Sequence, residues 1–414
     1  MKYNKWTVAL AALGVVSFAS AAKAEEKASP VMTALSSTTI SGYVDTSAEW
    51  NPGTGNANLP PYKFNNINKA DGFNLDVVQL RIDKPLDEQD WAAGYRADFW
   101  FGPDANTLGT TSTGIKTSDF GIRQAYVALR APVGTGLDFK MGVFDSIIGY
   151  ESIESGNNPN FTRSYGHSIE PQTETGLLAS YRFCDAFSAS AGVADTFGPT
   201  INNRAFAPIG GGTVLSPNTG PYGSATEAES YKTYMVSLAL TAPESMGFLS
   251  GSTLYAGFVN GFDDAGVNYP TTKPVTVSSY YVGATVATPV TGLRAGAAFD
   301  YLDIHPANND DYSIAGYLSY QATEKLSFHG RAEYFKDNLG GGNTLLFGPV
   351  GGVGKAEVLA LTGTVQYDLW KNVISRFEVR WDHSLDGNDL FGGTGALPNS
   401  ENAWLLAVNI IYKF

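Results

Sequence analysis

The dominant signal along the chain is a period of two. Read back from the C-terminus, Phe414, Tyr412, Ile410, Val408, Leu406 and Trp404 form an unbroken apolar set, whereas Lys413, Ile411, Asn409, Ala407, Leu405 and Ala403 are mixed. Successive side chains of a strand point to opposite faces, so 404–414 predicts a strand with one apolar face and one that tolerates water. Aromatics at both ends of the apolar face suit a strand that crosses a bilayer between its two interfaces. Upstream the alternation repeats. Ile40, Val44 and Trp50 oppose Tyr43, Asp45, Ser47 and Glu49, and Trp91, Tyr95, Phe99 and Phe101 oppose Arg96 and Asp98. Sixteen such segments are predicted. They fall at 38–50, 73–84, 91–102, 119–131, 137–144, 175–183, 187–197 and 230–242. The second half follows at 252–262, 276–288, 293–302, 312–322, 326–336, 356–369, 373–383 and 403–414.

Seven short turns, such as 132–136, 289–292 and 323–325, alternate with eight longer loops. That sidedness predicts an all-β fold, a transmembrane antiparallel up-and-down β-barrel of about sixteen strands over 38–414, with long extracellular loops and short periplasmic turns. An even strand number places both termini on the periplasmic side. Proline cannot donate to a strand ladder, and on this parsing all 20 prolines fall outside the strands. A soluble sandwich or propeller also uses short alternating strands. Neither accounts for the alternation of short and long connections, and no internal repeat is evident. In a barrel the strand 404–414 closes against the first strand, so that no open edge meets lipid.

If the apolar parity faces lipid, the other parity lines the interior. It carries Arg96, Asp98, Arg182, Arg331, Glu333, Arg376, Glu378, Arg380 and Asp382. An arginine on the lipid face would cost about 2–4 kcal/mol at the midplane, so the inward placement is also the cheaper one. A barrel of this size is too wide for its own side chains to fill and leaves a water-filled channel. As a ring, these charges would set the field that permeating ions feel.

Composition agrees with this picture. There are 46 glycines and 13% aromatic residues, while charged residues, at 16%, fall below the usual quarter. Residues 1–24 have the three parts of a secretory signal peptide: Lys2 and Lys5, an apolar run, and Ala22-Lys23-Ala24 as a cleavage site. Residues 25–37 then form a short periplasmic leader. Removal of Lys2, Lys5 and Lys23 takes the formal charge from −13 to −16. So acidic a chain is a poor partner for nucleic acid, whose phosphates demand clustered lysine and arginine.

The loop between the fifth and sixth strands, 145–174, is the most informative. It holds Asp145, Glu151, Glu154, Glu170 and Glu174 against one base, Arg163, together with Tyr150, Phe161 and Tyr165. A loop wholly in water has no use for three aromatics. The expectation is that it folds into the barrel and narrows it, acids toward the basic wall, with Arg163 paired to a carboxylate. The alternative is a loop that caps the outer surface. Exchange of Glu151 or Glu154 for Gln would shift selectivity only if the loop enters the pore.

Several short motifs in this region occur together. They are Ile122-Arg123-Gln124-Ala125-Tyr126-Val127, Gly142 with Phe144 and Asp145, Gly149-Tyr150-Glu151, 157–160, Arg163-Ser164, and Glu170-Pro171 followed by Gly176. In this order they resemble the β-barrel porins called porin-2 or OmpL-like. The resemblance implies a bacterial outer-membrane channel and, by analogy with general porins, a constricting third loop and a homotrimer. Separately, the C-terminal aromatic strand with Trp404, Tyr412 and Phe414 resembles the signal that the barrel-assembly machinery of bacteria reads. Where members often show His-Thr-Gly after the Glu-Pro, this chain has Thr173-Glu174-Thr175-Gly176, so no role for that histidine transfers.

Catalytic and metal chemistry finds little support. His167, His305, His329 and His383 are far apart and belong to no metal-spaced motif. The cluster 351–355 has Pro349 and Ala356 where a phosphate loop needs Gly and Ser/Thr. Asp263-Asp264 and Asp310-Asp311 lack the alternating oxygen ligands of a calcium loop. Cys184 is the only cysteine, which excludes an intrachain disulfide. The expected function is passive diffusion of small hydrophilic solutes and ions across the outer membrane, with a modest cation preference and no cofactor. The alternatives are a channel specific for sugars or carboxylates, a barrel hydrolase using His305 or His383, and an adhesin. A sugar channel would need an aromatic track in the lumen, where Tyr280 or Tyr281 must point.

Overall fold

The computed structural model describes residues 37–62, 69, 71–111, 118–205, 230–262, 276–305, 309–338, 355–394 and 397–414. Sixteen strands follow the predicted rhythm. They are β1 (Thr39–Trp50), β2 (Gly72–Lys84), β3 (Ala93–Phe101), β4 (Phe120–Ala131), β5 (Leu137–Asp145) and β6 (Thr173–Cys184). β7 (Phe187–Ala194), β8 (Thr233–Thr241), β9 (Thr253–Phe262), β10 (Thr276–Ala287) and β11 (Leu293–His305) follow. β12 (Asn309–Gln321), β13 (Leu326–Asn338), β14 (Ala356–Trp370), β15 (Val373–Ser384) and β16 (Asn402–Lys413) complete the set. Each strand pairs antiparallel with its neighbours in sequence, and β1 pairs with β16 to close the barrel. The seam runs from Tyr43 opposite Lys413 to Trp50 opposite Leu406.

Alternation sets which face meets lipid. In β16, Trp404, Val408, Ile410 and Tyr412 are exposed on the outside, while Ala403, Leu405, Ala407 and Ile411 are buried within. The inward set does not meet open water, contrary to the sequence reading. Leu405 and Ala407 pack with Tyr62 and Phe161, which come from loops folded into the barrel. Clusters of the same kind line the rest of the interior. One joins Tyr165 and Ile169 to Phe335, Val358, Leu390 and Phe391.

Two connections depart from the predicted sidedness. β11 and β12 extend to His305 and Asn309, so the loop expected there shrinks to 306–308, which lie outside the described residues. On the short-turn side, β8 and β9 are joined by a longer segment that contains a 3-10 turn, Glu244–Leu249. Trp91 belongs to a turn and not to β3, and it adopts a positive φ of 58°. Residues 1–36, including the expected signal peptide, lie outside the described residues.

Candidate functional site

The segment 146–172 joins β5 to β6 and lies against the inner faces of distant strands. Polar side chains hold it from two sides. On the β13–β15 side, Arg331 donates to Glu151 (2.8 Å) and to the Thr162 carbonyl (3.0 Å). Glu378 accepts the main-chain N–H groups of Phe161 (2.6 Å) and Thr162 (2.9 Å) and the Thr364 hydroxyl (2.6 Å). Arg376 donates to the carbonyls of Ser155 (3.0 Å) and Asn158 (2.6 Å). Arg380 donates to the Arg163 carbonyl (2.6 Å) and to Asp382 (2.8 Å), which also accepts the Tyr165 hydroxyl (2.9 Å). Glu333 accepts the Gly166 N–H at 3.0 Å.

On the β2 and β4 side, Arg81 and Arg123 both reach Glu154. They also share Asp98, at 2.7 and 2.9 Å, and Arg123 bonds Asp145 at 2.5 Å. A charge removed from water is costly unless it is paired and its remaining bonds are met. Here wall carboxylates take loop N–H groups, and wall guanidiniums take loop carbonyls and carboxylates.

These contacts revise the expected ring of charge. Arg331, Glu333, Arg376, Glu378, Arg380 and Asp382 are each at most 3% exposed, and Asp98 is fully buried. They seat the segment, and Arg376 also borders a cavity beneath it. Arg96 does face the interior but bonds Asp83 (3.0 Å), away from 146–172. Arg182 is a correction of place. It pairs with Asp185 beside the turn at the barrel rim. The expected carboxylate partner of Arg163 is corrected too. Its guanidinium donates to three main-chain carbonyls, of Ser152 (3.0 Å), Phe161 (2.9 Å) and Ile153 (3.2 Å). Its own N–H donates to the Tyr62 carbonyl at 2.6 Å, which ties the first loop to the third.

The aromatics add packing to this frame. Tyr150 stacks on Tyr317 with ring centroids 4.0 Å apart, and Tyr165 stacks on Phe335 at 4.8 Å. Two glycines make room. Gly149 holds a φ of 117°, and a β-carbon there would overlap the Glu170 carboxylate. A β-carbon on Gly296 would overlap the Tyr150 hydroxyl. Of the two candidate lumen tyrosines, Tyr281 points inward and is buried, and Tyr280 faces outward.

The segment's own acids differ in character. Burial opposes ionisation of Glu154, but Arg123 and Arg81 outweigh it and hold the carboxyl down to about 2. Burial likewise opposes ionisation of Glu151, and Arg331 beside it holds it below the ordinary range. Glu170 is the reverse. Burial dominates, reinforced by Glu151 and Glu333, and pushes it up to about 7. Burial, with Arg163 nearby, brings His167 down to about 4.

Alternation alone missed Arg123. Its odd number would place it outward with Val127 and Leu129, but a β-bulge opposite Asp98 and Phe99 turns it into the interior. Arg81 lies on the inward parity of β2 with Gln79 and Asp83, opposite Asp98, so alternation places it correctly. His383 stacks on Trp381 with rings 13° from parallel, and His305 pairs with Asp303 at 2.8 Å. Among the described residues, no group of three or more His, Cys, Asp or Glu is arranged to hold a metal ion.

Comparison with known proteins agrees with this architecture. No curated protein matches the sequence. The loop-L8 deletion mutant of OmpT, an outer membrane protein of Vibrio cholerae, superposes with a TM-score of 0.55 at 11% identity, covering 91% of this chain and 99% of that one. The anion-selective porin from Comamonas acidovorans gives 0.55 at 12% identity, with 91% and 99% covered. The outer membrane channel DcaP of Acinetobacter baumannii gives 0.54 at 11%, with 91% and 97% covered. At these identities the likeness is one of fold. Residues 37–414 match the family described as "Putative beta-barrel porin-2, OmpL-like". The chain belongs to this family of outer-membrane β-barrel porins, which form channels for passive diffusion.

Proposed function

We propose that the channel carries small hydrophilic solutes and ions past a constriction formed by 146–172, with a modest cation preference. The observation that carries the constriction is the double seating of this segment, on Arg331, Glu378 and Arg380 at one wall and on Arg81 and Arg123 at the other. A loop so held keeps a fixed place in the bore. The cation preference rests on the acidic charge of the chain as a whole, formally −13 before any processing. It does not rest on Glu151 and Glu154, whose charges are met by arginines. The fold and family favour a channel over a catalyst. Residues 1–24 are proposed to direct export. The C-terminal strand is proposed to present Trp404, Tyr412 and Phe414 to lipid and to the barrel-assembly machinery, and the working assembly is proposed to be a homotrimer.

Planar bilayers under a salt gradient test this reading. The expected record is stepwise conductance with a reversal potential of cation-selective sign. A potential of anion-selective sign overturns the preference, and the absence of any conductance steps overturns the pore.

A further inference from the structure

Beneath the third loop, on the short-turn side, the barrel holds a half-open cavity of about 610 Å³. Its ceiling is the loop tip at Asn157 and Asn158, and its walls are the lower ends of β12–β16 with their turns. Four cationic side chains, Lys325, Lys371, Arg376 and Lys413, line it against two acids, Glu324 and Asp368. Such an excess of positive charge stands out in a chain whose formal charge is −13.

The two innermost cations lack carboxylate partners among the described residues. Arg376 bonds the carbonyls of Ser155 and Asn158 and the side-chain oxygen of Gln366 (3.0 Å). Lys413 bonds the Gly156 carbonyl at 2.9 Å. Carbonyls satisfy their hydrogen bonds, and the carboxylates that act on their charges, Asp45, Glu378 and Asp368 on Arg376 and Glu154 and Asp368 on Lys413, form no direct ion pair with them among the described residues. The remaining lining suits a polar guest. Gln321, Gln366 and Asn372 bring amide groups to the wall. Both ring nitrogens of His329 are already held, by Ser327 (3.0 Å) and Ser319 (2.9 Å), so it is a fixed polar surface. The volume lies in the range of small-molecule sites.

We propose that this cavity is an oxyanion-binding vestibule of the pore, which holds a small hydrophilic solute by a carboxylate or phosphate head among Arg376, Lys413, Lys371 and Lys325. The proposal rests on the reading of the chain as a porin and adds a solute class to it. Single-channel recording of the full protein tests it, with succinate and glycerol 3-phosphate as the two head groups and glucose as the neutral control. Both anions should reduce the potassium chloride current in a saturable way, and the tighter of the two identifies the preferred head. Glucose should not saturate. In the Lys325→Gln/Lys371→Gln double variant, whose changes lie at turns, the half-blocking concentration should rise about two- to fivefold per lysine lost. Conductance without saturable block by either anion, or block that the double variant leaves unchanged, overturns the vestibule while leaving the pore intact. Absence of conductance in the wild type overturns the porin reading itself. A second measurement is independent of current. Succinate should protect Lys371 and Lys325 from an amine-reactive reagent, read by mass spectrometry, and equal labelling with and without it counts against the site.

Discussion

At the scale of single residues, the interior of this barrel is a set of buried charges whose worth depends on their partners. Arg331 and Glu151 form the central pair, with both side chains almost wholly removed from solvent. Glu151 also accepts the Ser164 N–H at 2.8 Å, so one carboxylate serves the wall and the loop together. Removing one member of a buried pair leaves the other unpaired and costs about 3–5 kcal/mol, whereas replacing both by apolar groups of similar size is far milder. Arg331→Met alone is therefore expected to release the third loop, seen as faster hydrogen exchange of amides in 146–172. Arg331→Met with Glu151→Met should restore part of the protection, giving a coupling above about 1 kcal/mol in the double-mutant cycle. Simple additivity of the two changes would show that the pair does not hold the loop. Arg163 works by another rule. It gathers three carbonyls that would otherwise point into a tight fold, and it needs no acid to do so.

At the scale of the element, the third loop carries opposed titrations. A water-exposed glutamate titrates near about 4.3. Seated Glu170 lies at about 7, so the seated loop holds a proton that a released loop would shed. A raised folded-state value of this kind gives stability that is fully present below about 4.3 and is lost as pH rises through 7. Glu154, held at about 2, does the opposite. Its contribution is complete above about 4.3 and is lost as pH falls toward 2. Burial, with Glu151 and Glu333, raises Glu170 and sets the alkaline limb, whereas a hydrogen bond with Asp300 opposes it. Asp300 comes from β11 and Glu333 from β13, while Glu151 and His167 come from its own loop, the last at 3.7 Å. Loop exchange, corrected for its intrinsic pH dependence, should therefore accelerate between about pH 4.3 and 7 in the wild type. Glu170→Gln should flatten that rise, because an amide has no proton to lose. Identical profiles for the two proteins would remove Glu170 from the account.

The loop also shows where sequence reading runs out. Its acids and aromatics single it out, because a hydrated loop has no need of Tyr150, Phe161 and Tyr165 together. Its partners were less legible. Glu378 binds the Phe161 and Thr162 amides across more than two hundred residues of chain, and no local pattern encodes that meeting. Arg123 was hidden by a bulge, since one extra residue reverses the parity on which the whole reading depended. On alternation alone, charged positions on the inward parity face water. They face the loop instead, because two-fold alternation separates inside from outside and is silent on what fills the inside.

For the whole molecule, the alternation was legible because lipid permits so little else. Every backbone polar group must be paired inside the barrel and every outward side chain must be apolar, so the constraint is written into each strand. The barrel as a single object depends on its seam, and there the last residue has two separable roles. Phe414 and Gly42 exchange main-chain hydrogen bonds, each 3.0 Å long, which extend the closing ladder past the end of β16. The Phe414 ring lies on the outer face, about half exposed in the isolated chain, at the edge of the aromatic set with Tyr412. Deleting the residue removes both contributions, whereas Phe414→Ala keeps the ladder and removes only the ring. Transfer of such a side chain from water to an apolar surround is worth about 1.5–3 kcal/mol. On the proposed reading conductance is set by the loop and wall inside, whereas the ring lies on the outer face. Phe414→Ala should therefore lower the fraction of folded barrel, read as the heat-modifiable band on a gel, and deletion should lower it further. Channels that do assemble from either variant should pass the wild-type unit current. A reduced unit current with normal assembly would place the C-terminal residue in the conduction path and would refute its assignment to closure and location.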